Sequence, residues 1–400
     1  MRRVARLALA FLFVWPGAAA LASITAASAP YVVPPVPALG VRSYALLDVR
    51  TGQILAQQRP DVRIAPGGAA KLMTAYVVFQ ELRAGRLHLD TRLRVSRAAW
   101  HEPGARMFLR PGAQVSVSDL LQGLLVDGGN DAAVALAQGV AGTRAGFVSL
   151  MNDYAHRLGL ANTHFTNATG LPSAKLYSSA LDLARLSRDL LVQFPEYAHY
   201  FVQKHFTWSG ITQYNYDKLL WRDPRSLGLA PGYAGRAAGY CMAAGAARHH
   251  MRLVAAVMGM APQPGASLTR NLNALARTSQ ALLGYGFRFY TTRQLYKAGA
   301  AVGSLRVIAG AQRKLAVGLG RSLYVTIPSG QYSALSAKAQ FAHDPRAPVA
   351  KGQRLGRVVV KLGRKPLVSA PAVALAADPR GNLWQRLNDD VVDWLHSRKI

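Results

Sequence analysis

At 400 residues with 50% hydrophobic content, the chain carries enough apolar side chain for about two to three packed domains, which excludes an intrinsically disordered protein. Its formal charge of +29 draws it toward acidic polymers and anionic lipid headgroups, although adaptation of a proteome of high isoelectric point would produce the same balance. The basic residues, among them Arg83, Arg86, Arg92, Arg94, Arg248, Arg293, Arg313 and Arg364, are scattered without a nucleic-acid-binding motif, so no nucleic-acid partner is expected, and neither a cofactor nor a metal.

Arg2, Arg3 and Arg6 precede the apolar run LALAFLFVWPGAAALA and small-residue sites ending at Ala22 or Ala29, the pattern of a cleaved secretory leader over residues 1–29. An uncleaved anchor is the alternative, but the run is short and broken by Pro16 and Gly17. Residues 43–57 alternate as a hairpin around Arg50, Thr51 and Gly52. KLMTAYVVFQELRAG is apolar nearly all round and ends at Gly85, which reads as a buried helix. Ser118 and Asp119 are cap candidates for DLLQGLLV, and DAAVALAQGVAG predicts another short helix closed by Gly142, leaving DGGN (127–130) in the turn between them.

RLVAAVMGM (252–260) is a continuous apolar run suited to a covered central strand, with LAPG (229–232) expected on the neighbouring strand. The single cysteine, Cys241, can form no internal disulfide and reads as a buried strand residue; the alternative, a reactive thiol, has no histidine near it in sequence. Past GYGFRFY, the runs SLRVIAG, KLAVGLG, LYVTIP, RVVVKLG and KPLVSAPAVAL predict an all-β module of about ninety residues. In NLWQRLNDDVVDWLHSRKI, Leu383, Leu387, Val391, Trp394 and Leu395 share a helical stripe opposed by Arg386, Asp389, Asp390 and Asp393. Such a helix rests on a membrane surface or docks on the β-module.

Three blocks together carry a resemblance. PGGAAK (66–71) stands directly before LMTAYVVF; RMFL (106–109) is followed by GGNDA; and LAPG precedes YAGRAAGYCMAAGA. In these blocks the chain resembles the D-alanyl-D-alanine carboxypeptidases of the low-molecular-mass penicillin-binding proteins. The resemblance implies an α/β (mixed) transpeptidase domain of the serine β-lactamase and DD-peptidase type, followed by a small all-β sandwich domain and a C-terminal amphipathic helix. The expected spans are residues 1–29 for the leader, 36–284, 286–376 and 380–400. It also implies a periplasmic location, peptidoglycan stem peptides as partners, and an inner-membrane surface contacted through the C-terminal helix.

The family's reacting groups are missing. Where Ser-x-x-Lys is expected, Gly68 takes the serine position and Lys71 remains; where Ser-x-Asn is expected, Gly128 takes the serine position and Asn130 remains. Ala230 and Pro231 replace the lysine and threonine of Lys-Thr-Gly, leaving Gly232. A serine one turn ahead of a lysine shares its helix face, so the amine can take the hydroxyl proton; in this chain Lys71 has nothing to deprotonate. No serine lies three residues before any lysine or two before any asparagine, and Lys-Thr-Gly occurs nowhere. The family's later arginine falls on Leu275, with Arg270 or Arg277 as candidate substitutes. Backbone N–H groups of Gly68 and Tyr233 are expected to keep an oxyanion hole, so Gly68, Asn130, Gly232 and Tyr233 are the expected peptide-binding positions. Three functions fit: a silent homologue that binds stem peptide or a cell-wall partner, an active carboxypeptidase with an unrecognised nucleophile, and a structural cationic envelope protein whose pocket has collapsed.

Overall fold

A computed structural model describes residues 32–341 and 344–384. The leader therefore lies outside the described residues, as does most of the C-terminal helix, of which only Leu383 and Trp384 are described as helical. The main sheet is antiparallel and has five strands: β1 (Ser43–Asp48), β2 (Ile54–Gln58), β3 (Ser226–Tyr233), β4 (Tyr240–Arg248) and β5 (Met251–Met260), in the order β2-β1-β5-β4-β3. β5 is central, as its unbroken apolar run predicts. The strand carrying LAPG is not its neighbour, however: β4 intervenes and β3 forms the edge. Two strands joined by so few residues as β4 and β5 pair directly as a hairpin, and β3 then pairs with β4.

Both sheet faces are covered, which explains why β4 and β5 are apolar, apart from Arg248 and Arg252 at their hairpin ends, rather than alternating. Cys241, Ala243, Val254, Ala256 and Met258 pack into a large helical core; Met242, Ala244, Leu253, Ala255 and Val257 point the other way, against a long helix. On the first side lie α1 (Lys71–Arg83), α2 (Val117–Leu125), α3 (Asn130–Ala141) and α4 (Ala180–Gln193). On the second lies α5 (Leu268–Phe289). Gly286 of α5 lets the helix close on the sheet, since a β-carbon there would meet Leu253 Cδ1 at 2.5 Å.

α1 is buried on nearly every face, from Lys71 to Phe79, as expected of an all-round apolar helix. The N-cap of α2 is Ser116, two residues earlier than the sequence cue: its hydroxyl accepts from Asp119 N at 3.1 Å and bonds the Asp119 carboxylate at 2.6 Å. Ser118 instead bonds the Tyr200 hydroxyl. Extending the helix back to Val117 places that capping pair at its first turn, where it satisfies otherwise free N–H groups.

The β-rich module comprises a two-stranded ribbon of Tyr290–Tyr296 with Leu323–Pro328, and a five-stranded antiparallel sheet. In that sheet the strand expected at SLRVIAG lies earlier, at Ala301–Leu305, and Leu335–Phe341 adds an edge strand whose mostly exposed LSAKAQF hides the alternation. A polar knot joins the two domains. Buried Asp48 accepts bonds from Thr51 N (2.7 Å), Thr51 Oγ1 (2.9 Å) and Thr292 Oγ1 (2.8 Å), while Arg50 stacks over the Tyr324 ring at 4.2 Å. Among the described residues, no helix is long and apolar enough to cross a membrane.

Candidate functional site

The three degraded motifs converge. A short 3-10 turn, Gly67–Ala70, leads into α1; Gly128 sits in the turn between α2 and α3; and edge strand β3 runs past both, with all eight positions singled out from sequence lining one cleft of about 480 Å³. Leu275 is fully buried inside α5 and away from the cleft. Arg270 and Arg277 are exposed and line no part of it, so neither substitutes for the missing arginine; the cleft side of α5 is Leu268 and Leu272.

The surviving motif residues hold the scaffold. Asn130 donates through Nδ2 to Pro103 O at 2.6 Å, and Asp131 takes Met107 N at 3.0 Å and Leu109 N at 3.1 Å, tying the RMFL loop to α3. At Gly232 a β-carbon would lie 2.2 Å from Pro66 O, so only glycine lets β3 pass the turn before α1. Cys241, behind it, donates through Sγ to Pro66 O, and burial pushes its thiol up to about 12, far from a thiolate nucleophile.

Gly68 is different. Its backbone is not left-handed, and a β-carbon there would lie 3.2 Å from Pro231 O, 3.7 Å from Gly232 Cα and 4.0 Å from Lys71 Nζ. The place of a serine side chain, next to the amine, is thus intact and holds no oxygen. Lys71, 6% exposed, donates through Nζ to Thr169 O at 2.7 Å. Burial lowers the amine to about 8, while Asp131 and Glu102 pull the other way. Such an amine suits proton transfer near neutral pH, yet its hydrogen bond goes to a carbonyl. The hydroxyl nearest in sequence to that carbonyl, Thr169 Oγ1, is itself bonded to Asn167 Oδ1 at 3.0 Å. Gly128 has φ +65°, the left-handed region, where a side chain is strained.

Two contributors were missed from sequence. One is the Asn167–Thr169 turn, which receives Lys71; the run NATG, polar and glycine-bearing, was the available signal. The other is Asp127, an acid between Val126 and Gly128 in an otherwise apolar stretch. It is 1% exposed, and neither carboxylate oxygen has a hydrogen-bond partner. Burial, then repulsion from Asp131, raises it to about 7, and the nearby Gln213 amide gives it no bond, since Nε2 donates to Arg106 O at 2.8 Å.

The buried charge of Lys71 is a liability to stability. Its folded value lies below the unfolded one, so the penalty for holding the proton is fully present below pH 8 and fades as pH rises toward 10.5. Lys71→Met should stabilise the chain at pH 7 by roughly 1–2 kcal/mol, after allowing for the lost bond to Thr169 O. Urea denaturation at pH 7 and pH 10 checks this: the gain should shrink at the higher pH, and a loss at pH 7 would contradict it.

A mixed sheet-and-helix domain with its cleft between the start of one buried helix, a helix-helix turn and an edge strand is the architecture of a DD-peptidase-like transpeptidase domain. The chain belongs to the D-alanyl-D-alanine carboxypeptidase family, whose description matches residues 28–262; residues 290–380 match the penicillin-binding protein 5 C-terminal domain. It is 35% identical to the D-alanyl-D-alanine carboxypeptidase DacA of Escherichia coli over 91% of this chain and 90% of that protein. Identity to the D-alanyl-D-alanine carboxypeptidase DacF of Bacillus subtilis is 30%, covering 88% and 90%. Among solved structures, penicillin binding protein 5 from Haemophilus influenzae superposes with a TM-score of 0.79 at 33% identity, covering 88% of this chain and all of that one.

Proposed function

We propose that the chain is a catalytically silent homologue of the D-alanyl-D-alanine carboxypeptidases that binds peptidoglycan stem peptide in its open cleft. The observation that carries this reading is the empty serine place at Gly68, 4.0 Å from a buried amine that has kept its position. Acyl transfer needs an oxygen there to form the ester, and removing one member of such a unit costs about a millionfold. The open 480 Å³ hollow supports binding over a collapsed, purely structural role.

On the same reading, residues 1–29 are an exported leader, residues 36–284 and 286–376 are the two folded domains, and residues 380–400 lie on the inner membrane from the periplasmic side. The apolar stripe and tryptophans of that last segment support the placement.

Two measurements test the function. Incubation with a fluorescent penicillin should leave no covalent label on the intact protein by mass spectrometry, since labelling requires the hydroxyl; a label mapped to this cleft would establish the active-enzyme alternative. Titration with a peptide ending in D-Ala-D-Ala should then show saturable binding without release of D-alanine. Absence of binding would leave only the structural role.

A further inference from the structure

The cleft does not use a cluster of arginines that lies elsewhere on the main sheet. At the far end of the main sheet, a second hollow of about 450 Å³ is bordered by Arg50, Arg225, Arg248, His249, His250 and Arg252, and no residue lining it is acidic. Three connections meet there: the β1–β2 turn, the approach to β3 and the β4–β5 hairpin. Along β4, Arg248 is seven residues from Cys241 beside the cleft, or roughly 24 Å at strand spacing.

Three of the four arginines are presented rather than paired with an acid, and the fourth, Arg248, is paired with Asp223. Among the described residues, Arg225 and Arg252 have no side-chain hydrogen bond or ion pair; Arg50 is held over Tyr324 with its guanidinium otherwise free. Buried Asp223 beside the hollow is already bonded to Arg248 Nη2 at 2.7 Å and to Arg225 N at 3.0 Å. Arg248 is also braced against the Phe287 ring at 5.0 Å, and its buried Nε–H has no partner. Packing thus fixes two of the four guanidinium groups in place, and the single Asp223 carboxylate offsets only part of the repulsion among the four, leaving room for an anion from outside.

The hairpin adds to this. His249 and His250 occupy its two turn positions at φ +46° and +68°, where Asn-Gly would fit with less strain. Both rings are exposed at the rim and can donate to an anion. A single carboxylate is satisfied by one guanidinium fork; a phosphoryl group, with more charge and three or more acceptor oxygens, engages several forks at once.

We propose that this hollow is a second ligand site, independent of the cleft, which binds a phosphoryl group, borne either by a lipid headgroup or by a soluble phosphate. Calorimetric titration of the full chain with inorganic pyrophosphate at low ionic strength should reveal one saturable site. Arg225→Gln combined with Arg252→Gln should weaken it by about tenfold or more. The main-chain bonds of Arg225, to Asp223 and from Ala247 N, do not depend on its side chain, so Arg225→Gln alone serves as a milder variant and should weaken binding severalfold. Lys338→Gln with Lys361→Gln removes the same charge from exposed positions of the β-module and should leave binding unchanged.

Equal weakening by the two double variants would show diffuse attraction and overturn the site, as would titration without saturation. Flotation with phosphatidylglycerol vesicles, against phosphatidylcholine controls, identifies the source. Vesicle binding weakened both by pyrophosphate and by Arg225→Gln with Arg252→Gln assigns the headgroup, whereas pyrophosphate binding with vesicle binding unchanged by either assigns a soluble phosphate, residues 380–400 supplying any remaining membrane contact.

Discussion

Gly68→Ser alone will not release measurable D-alanine, whereas Gly68→Ser, Gly128→Ser, Ala230→Lys and Pro231→Thr introduced together will give a protein that penicillin acylates. The single change is sterically feasible: its β-carbon needs only a few tenths of an ångström from Pro231 O, and its hydroxyl would face an amine already lowered to about 8. What the single change lacks is the rest of the unit. No group at position 128 can pass a proton to the leaving amine, and Ala230 and Pro231 offer neither charge nor hydroxyl to a substrate carboxylate. Members of a catalytic unit are strongly non-additive, so one restored member leaves activity near the floor, and the full set stands to recover up to about a millionfold. Gly128→Ser carries about 1–2 kcal/mol of left-handed backbone cost, so the fourfold variant should melt lower than its parent. Intact-mass analysis after exposure to ampicillin, with a D-alanine release assay, reads both outcomes. Turnover by the single variant would refute this account.

What was legible in the sequence divides along a physical line. The reacting positions could be placed because each sits beside residues that the fold itself requires: Gly232 by its approach to Pro66 O, Asp131 by its bonds to the RMFL loop, and α1 by all-round burial. The central strand was legible because both its faces are covered, which leaves an unbroken apolar run. The order of its neighbours was not, since apolarity says nothing about which of two buried strands pairs with a third. The arginine substitutes failed for a related reason: Leu275, Arg270 and Arg277 are close along the chain, but about half a turn of α5 separates a cleft-facing residue such as Leu272 from a solvent-facing one such as Arg270. The cationic hollow was invisible because its four arginines come from three separate connections, and only the sheet brings them together.

Asp127→Asn is expected to produce the largest stability gain of any single substitution around the cleft. In the folded chain the carboxyl is raised to about 7, first by burial and then by Asp131, whereas the unfolded chain titrates it near the ordinary 3.8. Between those values the native state holds the extra proton, so this group's contribution to stability falls as pH rises through that window and stays low above pH 7. Asparagine has the same shape and no charge to bury, and its amide can bond the nearby Gln213. The difference between variant and parent should therefore be close to zero at pH 4 and grow to on the order of 3 kcal/mol at pH 8. Lys71 has the opposite sign, with its penalty fading above pH 8, so the two groups can be separated by pH alone. Urea denaturation of both proteins across pH 4 to 9 measures the difference; a gain that is constant with pH would mean that Asp127 is not the titrating group. A buried carboxyl without a hydrogen bond, next to Gly128 in the same turn, leaves that turn easier to open than its burial implies. Asp127→Asn should accordingly slow hydrogen exchange at Gly128 and Gly129 above pH 7 and leave it unchanged at pH 4.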